Sequence, residues 1–210
     1  GNLSDEEIEQ RWESVFLEAR DIFELLDVVR SSEHVKRFPF VFPMFALPAY
    51  TGCRRGEIMR SLKIDFNFDR ELVLIRETKR KKTKAGSMRR VDMHNRLALI
   101  MQSWFEKHPG GPYAICSNDK RPLTRSASIY HWKTPLKGTR FEKLPGFHCL
   151  RHSLISIAPM KGVPQAVIDS WAGHTTNVRE RYIHLLPRAG KQAMNSILVS
   201  DLLPSAGQSV

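Results

Sequence analysis

The polypeptide carries the stretch FHCLRHSLISIAPMKGV at residues 147–163, an apolar run that begins with two histidines flanking an arginine. The pattern predicts a helix over His152–Met160 that stops at Gly162. Pro159 lies inside this helix and should kink it or end it early, because proline removes a backbone donor and clashes with the preceding turn.

Histidines at this spacing can form half of a helical zinc site. Cys149 follows His148 in place of the glutamate of a metalloprotease, and Arg151 would put a cation beside the metal. No clear third ligand accompanies His148 and His152. We therefore reject the zinc interpretation and expect no metal.

Two more motifs and a basic segment surround this stretch. TGCRRGEI at residues 51–58 puts Arg54 at the opening turn of a helix, just after a glycine. AGH at residues 172–174 is followed by Tyr182. A predicted hairpin, with strands at Leu72–Thr78 and Arg89–Met93, has a tip that is strongly basic. From residue 79 to residue 90 it holds seven basic residues and no acid, which suits either a solvated loop or a DNA groove.

The charge balance is uneven along the 210 residues. The net charge is +11, yet residues 1–30 hold nine acidic and three basic residues, so the remainder carries an excess of 17 positive charges. Such an excess favours a polyanionic partner, although a solubilising surface is the simpler alternative. No apolar run is long enough to span a bilayer. The three cysteines, far apart and odd in number, indicate reduced thiols and a cytosolic setting.

Periodicity predicts a mainly helical chain with one small antiparallel sheet, an α+β fold. The first helix is expected to run from Ser4 to about Val29, with Ile8, Trp12, Phe16 and Ala19 on one face. Tyr113–Cys116 is predicted to be a short strand. A final amphipathic helix is expected over Ala189–Val199, with an apolar face made of Ala193, Met194, Ile197 and Leu198.

The order of these motifs resembles the catalytic domain of the tyrosine recombinase, or phage integrase, family. That family has an arginine within TGxRxxE, a hairpin lysine, an HxLRH box, and a GH pair followed by a tyrosine. The resemblance covers nearly the whole chain and implies the family's fold. It implies cleavage and rejoining of DNA through a 3′-phosphotyrosyl intermediate, without a cofactor, in site-specific recombination by an enzyme of a mobile element.

The chemistry explains why these residue types are needed. A DNA phosphodiester is an anion, and attack on it builds further charge on the phosphoryl oxygens, which fixed donors must stabilise. Arginine is always charged and can pair two oxygens at once. The resemblance gives this role to Arg54 and Arg151. A surface ion pair is the simpler interpretation of either arginine alone.

The resemblance makes Tyr182 the nucleophile. A tyrosine hydroxyl has a pKa near ~10, so it needs a base or a positive field to attack. Tyr50 and Tyr113 lie in apolar segments, and Tyr130 lies in a basic one, whereas Tyr182 alone follows a GH motif. A packing tyrosine near a helix end is the alternative.

The resemblance also assigns the remaining groups. His148 is the candidate general base or phosphate donor, His174 donates to a phosphoryl oxygen, and Glu57 and His152 support their neighbours. Lys79 is favoured over Lys84 as the general acid that protonates the leaving oxygen. Contacts to the DNA backbone are expected from Arg55, Lys81, Lys82 and Lys84.

The chain departs from the family pattern at four places. His174 and Tyr182 are eight residues apart, one fewer than usual, and Pro159 interrupts the helix of the HxLRH box. Cys149 replaces the usual aspartate and Asp92 the usual proline. A type IB topoisomerase that relaxes DNA and a non-catalytic DNA-binding relic of the fold are the alternative functions.

The resemblance further predicts a domain organisation and partners. We expect a catalytic domain over residues 1–187, a C-terminal helix over 188–203 and a disordered tail over 204–210. The helix docks either on a neighbouring protomer or on its own domain. A DNA-clasping N-terminal domain is expected to be absent from this chain. The expected partner is double-stranded DNA. We expect the chain to be a monomer when free and to form a homo-oligomer, a tetramer, on DNA. The expected location is the bacterial or phage cytoplasm and not a membrane.

Overall fold

A computed structural model of the chain describes residues 16–77, 88–117, 120–173 and 187–197. The first part is helical: α1 (Ala19–Ser31), α2 (Glu33–Arg37), α3 (Val41–Thr51) and α4 (Arg55–Arg60). The strands follow: β1 (Phe66–Asn67), β2 (Leu72–Arg76) and β3 (Met88–Asp92). The remaining helices are α5 (Asn95–Glu106), α6 (Arg125–Lys133), α7 (His148–Met160), α8 (Gln165–Ala172) and α9 (Pro187–Ile197). The predicted class, mainly α with a small antiparallel sheet, is confirmed.

Helix α3 lies at the centre of the fold. Its sequence is apolar on every side, so it is buried all round and packs against α1, α5 and α7. The left-handed residue Gly52 ends it, with φ +63 and an N–H that donates to the Pro48 carbonyl at 2.9 Å. A Cβ at Gly52 would lie 3.2 Å from Leu154 on α7, so glycine is favoured there by both conformation and space.

The start of α1 differs from the prediction. One helix was expected to run through Phe16 and Ala19, but residues 16–18 are not helical and α1 begins at Ala19. The reason is local hydrogen bonding. The Leu17 N–H donates to Ser153 Oγ at 2.8 Å, and the Glu18 N–H donates to Asp21 Oδ2 at 3.1 Å. Asp21 thus caps the start of α1 by accepting from the backbone of the N-cap residue Glu18. The expected partners Ile8 and Trp12 lie outside the described residues.

The sheet is antiparallel with the order β1-β2-β3, and β2 pairs with β3 through five residue pairs. Val73 faces Val91, and Ile75 faces Arg89. These four side chains are buried on the core side of the sheet. The alternation of a strand therefore directs one arginine into the interior.

The predicted strand at Tyr113–Cys116 is wrong. The segment makes only two isolated bridges, Leu62 with Tyr113 and Cys116 with Pro122. Its backbone groups pair elsewhere: the Ala114 N–H donates to the Ser61 carbonyl at 2.8 Å, and the Ala114 carbonyl accepts from Trp104 Nε1 at 2.7 Å. Because these backbone groups already have hydrogen-bond partners outside a sheet, the segment does not form a strand.

Helix α9 packs on its own chain, against α7 and β3. Met194 and Ile197 are buried there, and Asn195 Oδ1 accepts from the N–H of Asn95 at 3.1 Å. Residues 187–197 pack on their own domain in this single chain, and docking of the C-terminal helix on a neighbouring protomer stays a prediction. Leu198 lies outside the described residues. Among the described helices, none is both long and apolar enough to cross a membrane.

Candidate functional site

Arg54 occupies the junction between α3 and α4. It is the N-cap residue of α4, two positions after the left-handed Gly52. Its Nη1 lies 3.3 Å from Glu57 Oε1, while 39% of its side chain stays exposed. The prediction that Arg54 opens a helix is confirmed. Glu57 thus fixes the position of the Arg54 guanidinium, which stays accessible to a ligand.

Glu57 is the buried carboxylate of the site. It accepts hydrogen bonds from the Arg54 N–H at 2.7 Å and from Arg89 Nη1 and Nη2 at 3.0 and 2.8 Å. Burial by itself would raise the pKa of Glu57. The hydrogen bonds and charge of Arg89, together with Arg54, more than offset burial and hold the pKa below its ordinary value. Glu57 is thus a fixed anion.

Arg151 is almost completely buried at the first turns of α7. Its Nη1 donates to the Gly52 carbonyl and its Nη2 to the Ala172 carbonyl, both at 2.6 Å. A guanidinium has five N–H groups, so it can hold both carbonyls and still offer donors to an anion. Arg151 thereby joins the end of α3 to the end of α8.

Positive charge accumulates where these side chains meet. Burial, and then the charges of Arg54 and Arg89, lower the pKa of Arg151 to about 10, although Glu57 opposes this shift. An anion placed beside Arg151 would relieve the repulsion. Since the donors are held by backbone and carboxylate contacts, they need little rearrangement when charge develops on a bound phosphate.

His148 and His152 lie on the first turns of α7, partly exposed, with ring centroids 5.9 Å apart. His148 is three residues before Arg151, so the two share one side of the helix. Within the part of the chain that the structure describes, no cluster of three or more His, Cys, Asp and Glu side chains could hold a metal ion.

A second pair of cations lies beside the site. The pKa of Arg55 is lowered by partial burial and by the charge of Arg125, which stands at the first position of α6. Two guanidiniums that repel each other on a half-exposed surface are suited to a polyanion. Arg55 was predicted to contact DNA, and Arg125 was not singled out.

The structure brings together three of the predicted residues, Arg54, Glu57 and Arg151, and places His148 and His152 on the adjacent helix turns. The remaining predicted residues lie outside the described ones: Lys79, Lys81, Lys82, Lys84, His174 and Tyr182. Glu77 and Gly173, which lead into two of these segments, are described and both approach Arg89.

Arg89 is a buried residue in contact with Glu57 that the sequence did not single out, because it was counted only as one charge of the basic hairpin. The strand pattern held a signal. Met88 and Arg90 point outward while Arg89 and Val91 point inward, so strict alternation puts one arginine on the apolar face. This pattern predicts a buried arginine, but it does not say which carboxylate the arginine meets.

Comparison with known proteins assigns the fold. The sequence profile of the group described as the phage integrase family matches residues 16–188. No curated protein sequence matches the chain significantly.

Several solved structures share the architecture. The XerH site-specific recombinase is 18% identical, with a TM-score of 0.60 over 82% of this chain and 51% of its own. The XerA recombinase is 18% identical, with a TM-score of 0.60 over 83% of this chain and 65% of its own. The Tn1549 transposon integrase is 14% identical, with a TM-score of 0.63 over 78% of this chain and 58% of its own. The chain thus spans between half and two-thirds of these neighbours, and the likeness shows a common fold.

Proposed function

The chain belongs to the phage integrase family, and from this we propose that it cuts and rejoins DNA strands in site-specific recombination. The observation that carries the proposal is the pair Arg54 and Arg151. Glu57 holds Arg54, the Gly52 and Ala172 carbonyls hold Arg151, and the charge of Arg54 acts on Arg151. The fold neighbours are consistent with it: XerH was solved on its difH substrate, and the Tn1549 integrase on circular-intermediate DNA.

The proposed reaction begins with a scissile phosphate bound by the two arginines. The Tyr182 oxygen attacks phosphorus and loses its proton, with His148 as the proposed acceptor. The 3′-phosphate becomes esterified to the tyrosine while the bond to the 5′-oxygen breaks. Lys79, or Lys84 in its place, gives that oxygen a proton. His174 and the arginines stabilise the charge on the phosphoryl oxygens.

Rejoining is the same chemistry in reverse. The 5′-hydroxyl of a partner strand attacks the phosphotyrosyl bond, restores a phosphodiester and frees Tyr182. One phosphoester replaces another at each step, so the reaction calls for no ATP, and the arginines supply the charge stabilisation that a metal would otherwise give. Exchange between two duplexes needs four active sites, which is why we propose a tetramer on DNA formed from free monomers, in the cytoplasm of a bacterium or phage host.

Covalent trapping tests the proposal. The 210-residue chain is incubated with duplexes of random sequence that carry a nick, so that cleavage releases a short strand and cannot reverse. We expect a protein–DNA adduct that survives denaturation, and sequencing of the trapped ends would give the preferred site. Tyr182→Phe should abolish the adduct. Tyr130→Phe, which changes an exposed tyrosine on α6, is the matched control and should leave it intact.

The alternatives predict different results. An adduct from Tyr182→Phe, or one that forms only when magnesium is added, would contradict the mechanism. Relaxation of supercoiled plasmid without any exchange product would favour the topoisomerase. DNA binding without an adduct, at saturating protein, would favour the non-catalytic relic.

A further inference from the structure

Arg89 is a buried cation on the core face of the sheet, opposite Ile75. Its Nε donates to the Trp171 carbonyl at 2.7 Å. Its Nη1 and Nη2 form a bidentate pair with Glu57, and Nη1 also reaches Glu77 Oε1 at 3.2 Å. One guanidinium therefore contacts the start of α4, the end of β2 and the end of α8.

Each of these contacts lies within three residues of a group that the proposed function uses. Glu57 comes three residues after Arg54, and Glu77 comes two residues before Lys79. Trp171 comes three residues before His174. The three segments are far apart in sequence and meet at Arg89.

The charges require a cation at this position. The side chains of Glu57 and Glu77 are only 2% and 6% exposed, and both accept from Arg89. Burial opposes the charge on Arg89, but Glu57 and Glu77 more than offset it, so the pKa of Arg89 lies above its ordinary value. Removing this cation would leave two buried carboxylates poorly compensated.

The end of α8 fits tightly against the same group. Gly173 adopts φ +66, and a Cβ there would overlap Glu77 Oε1 and lie 3.4 Å from Arg89 Cδ. The backbone that leads to His174 therefore rests on the Glu77–Arg89 pair with no room for a side chain. A shift of Arg89 would be transmitted to this backbone directly.

We propose that Arg89 is a positioning residue that sets the mutual placement of the start of α4, the end of β2 and the end of α8, the three segments that lead to Arg54, the hairpin lysine and His174. It touches none of the reacting atoms and acts through Glu57, Glu77 and the Trp171 carbonyl. Lysine cannot replace it, because an ammonium lacks the planar fork for Glu57 and the separate Nε donor for Trp171. The inference rests on the proposed function for the roles of the positioned groups.

The experiment compares Arg89→Lys with Arg90→Lys. The two arginines are neighbours on β3, one buried and the other exposed, so the same substitution is made on opposite faces. On a nicked duplex, we expect Arg89→Lys to slow adduct formation on the order of 100-fold, since a displacement of about 1 Å can cost that much. The DNA dissociation constant should change far less. Arg90→Lys should leave the rate of adduct formation close to that of the parent.

A loss of stability alone must be separated from a loss of positioning. Val29→Ala removes two methyl groups from the buried face of α1 and provides a destabilised variant whose site contacts are intact. If Val29→Ala lowers the melting temperature as much as Arg89→Lys and slows adduct formation equally, the positioning role is overturned. Glu77→Gln weakens a single contact of Arg89 and serves if Arg89→Lys does not fold; its adduct formation should slow while DNA binding persists.

Hydrogen exchange tests the placement without relying on activity. Amides in residues 52–57, 75–77 and 171–173 should exchange faster together in Arg89→Lys, while those of α1 keep their parent rates. Deprotection of only one of the three segments would overturn the inference. If the parent chain forms no adduct yet the three segments respond together, the proposed function fails and the positioning by Arg89 stands.

Discussion

Arg151 donates a 2.6 Å hydrogen bond to the carbonyl oxygen of Ala172, the second residue before His174. The same guanidinium holds the Gly52 carbonyl, two residues before Arg54. Arg151 thus braces the backbone on two sides of it, and we propose that its remaining donors bind phosphate. Burial and neighbouring cations lower the pKa of Arg151 to about 10, which means that its charged form is destabilised. An anion bound beside Arg151 would remove part of this destabilisation.

Sulfate should therefore stabilise the native protein through Arg151. Free ligand at about ten times its dissociation constant raises the free energy of unfolding by roughly 1.4 kcal/mol. For a chain of this size, that corresponds to a rise of about 3–5 °C in Tm. Differential scanning calorimetry in sodium sulfate, against sodium chloride at equal ionic strength, measures this rise. We expect Arg151→Gln to lose most of it.

Sulfate also stabilises proteins without binding, by exclusion from their surface. Arg30→Gln controls for this effect, because Arg30 pairs with Asp27 on the exposed side of α1, far from the site in sequence. It should keep the full sulfate response. An equal response in Arg151→Gln and Arg30→Gln would argue against an anion site at Arg151.

Arg55 and Arg125 should each contribute about one phosphate contact to DNA binding. A neutralised phosphate releases a counter-ion, so Arg55→Gln and Arg125→Gln are each expected to reduce the slope of log K against log salt by about one. Fluorescence anisotropy with a labelled duplex at several salt concentrations measures the slope. Arg140→Gln is the control, since Arg140 is already paired with Asp21 and Glu24; a slope that falls equally in all three variants would contradict the assignment.

The sequence predicted those parts of the site that depend on local spacing. The end of α3 at Gly52, the helix start at Arg54 and the helix that carries Arg151 are all set by residues within one or two turns. Gly52 and Arg54 were found at the expected places, whereas the helix that carries Arg151 begins at His148, four residues before its predicted start at His152. Pro159 lies inside α7, which ends at Met160 as the helix prediction had it, so the proline does not end the helix early.

Contacts between distant segments could not be predicted in the same way. Arg89 meets Glu57 across 32 residues and the Trp171 carbonyl across 82. Nothing in the local pattern says which buried carboxylate a strand arginine will meet. Leu17 is a similar case: its N–H is taken by Ser153, 136 residues away, so tertiary contact overrides helical periodicity at the start of α1.

Glu57→Gln should destabilise the fold strongly, because it leaves the buried charge of Arg89 with less compensation. Breaking a buried pair in this way costs about 3–5 kcal/mol. Urea unfolding measures the loss, with Glu33→Gln on the exposed side of α2 as a control that should change stability by less than about 0.5 kcal/mol. If Glu57→Gln lowers the free energy of unfolding as little as Glu33→Gln does, the Glu57–Arg89 pair is not formed.

The Glu57–Arg89 pair also predicts how the stability of the fold changes at acid pH. Because the pKa of Glu57 in the fold is lowered below its ordinary 4.5, its contribution to stability is complete above that pH. It is lost as the pH falls through the folded value, since the unfolded state takes up the proton first. The stability difference between the parent and Glu57→Gln should therefore shrink below about pH 4.5.

His131 should make stability fall between pH 6.5 and about 4. It is buried beside Phe38 and Phe40 and forms a 2.8 Å hydrogen bond with His34. Burial, and secondly the charge of His34, lower its pKa from 6.5 to about 4. Over that range the unfolded chain binds the proton and the folded chain does not, so stability decreases by up to about 1.4 kcal/mol per pH unit as the pH falls.

His131→Phe is the variant that isolates this effect, because a phenyl ring suits the aromatic surroundings and cannot be protonated. Urea titrations at pH 7, 6 and 5 should show a shallower pH dependence for His131→Phe than for the parent. Parallel curves for the two proteins would show that His131 is not the group responsible.

Packing of α9 on its own domain should be visible in solution. Ile197 is fully buried in this arrangement, so Ile197→Ala is expected to cost about 2–5 kcal/mol. Gln192→Ala, on the exposed side of the same helix, should cost little. If the packing is within one chain, the urea midpoint of the free protein stays constant over about a hundredfold range of protein concentration, whereas docking on a neighbouring protomer makes it rise with concentration. A rising midpoint that Ile197→Ala abolishes would show that α9 is exchanged between chains even without DNA.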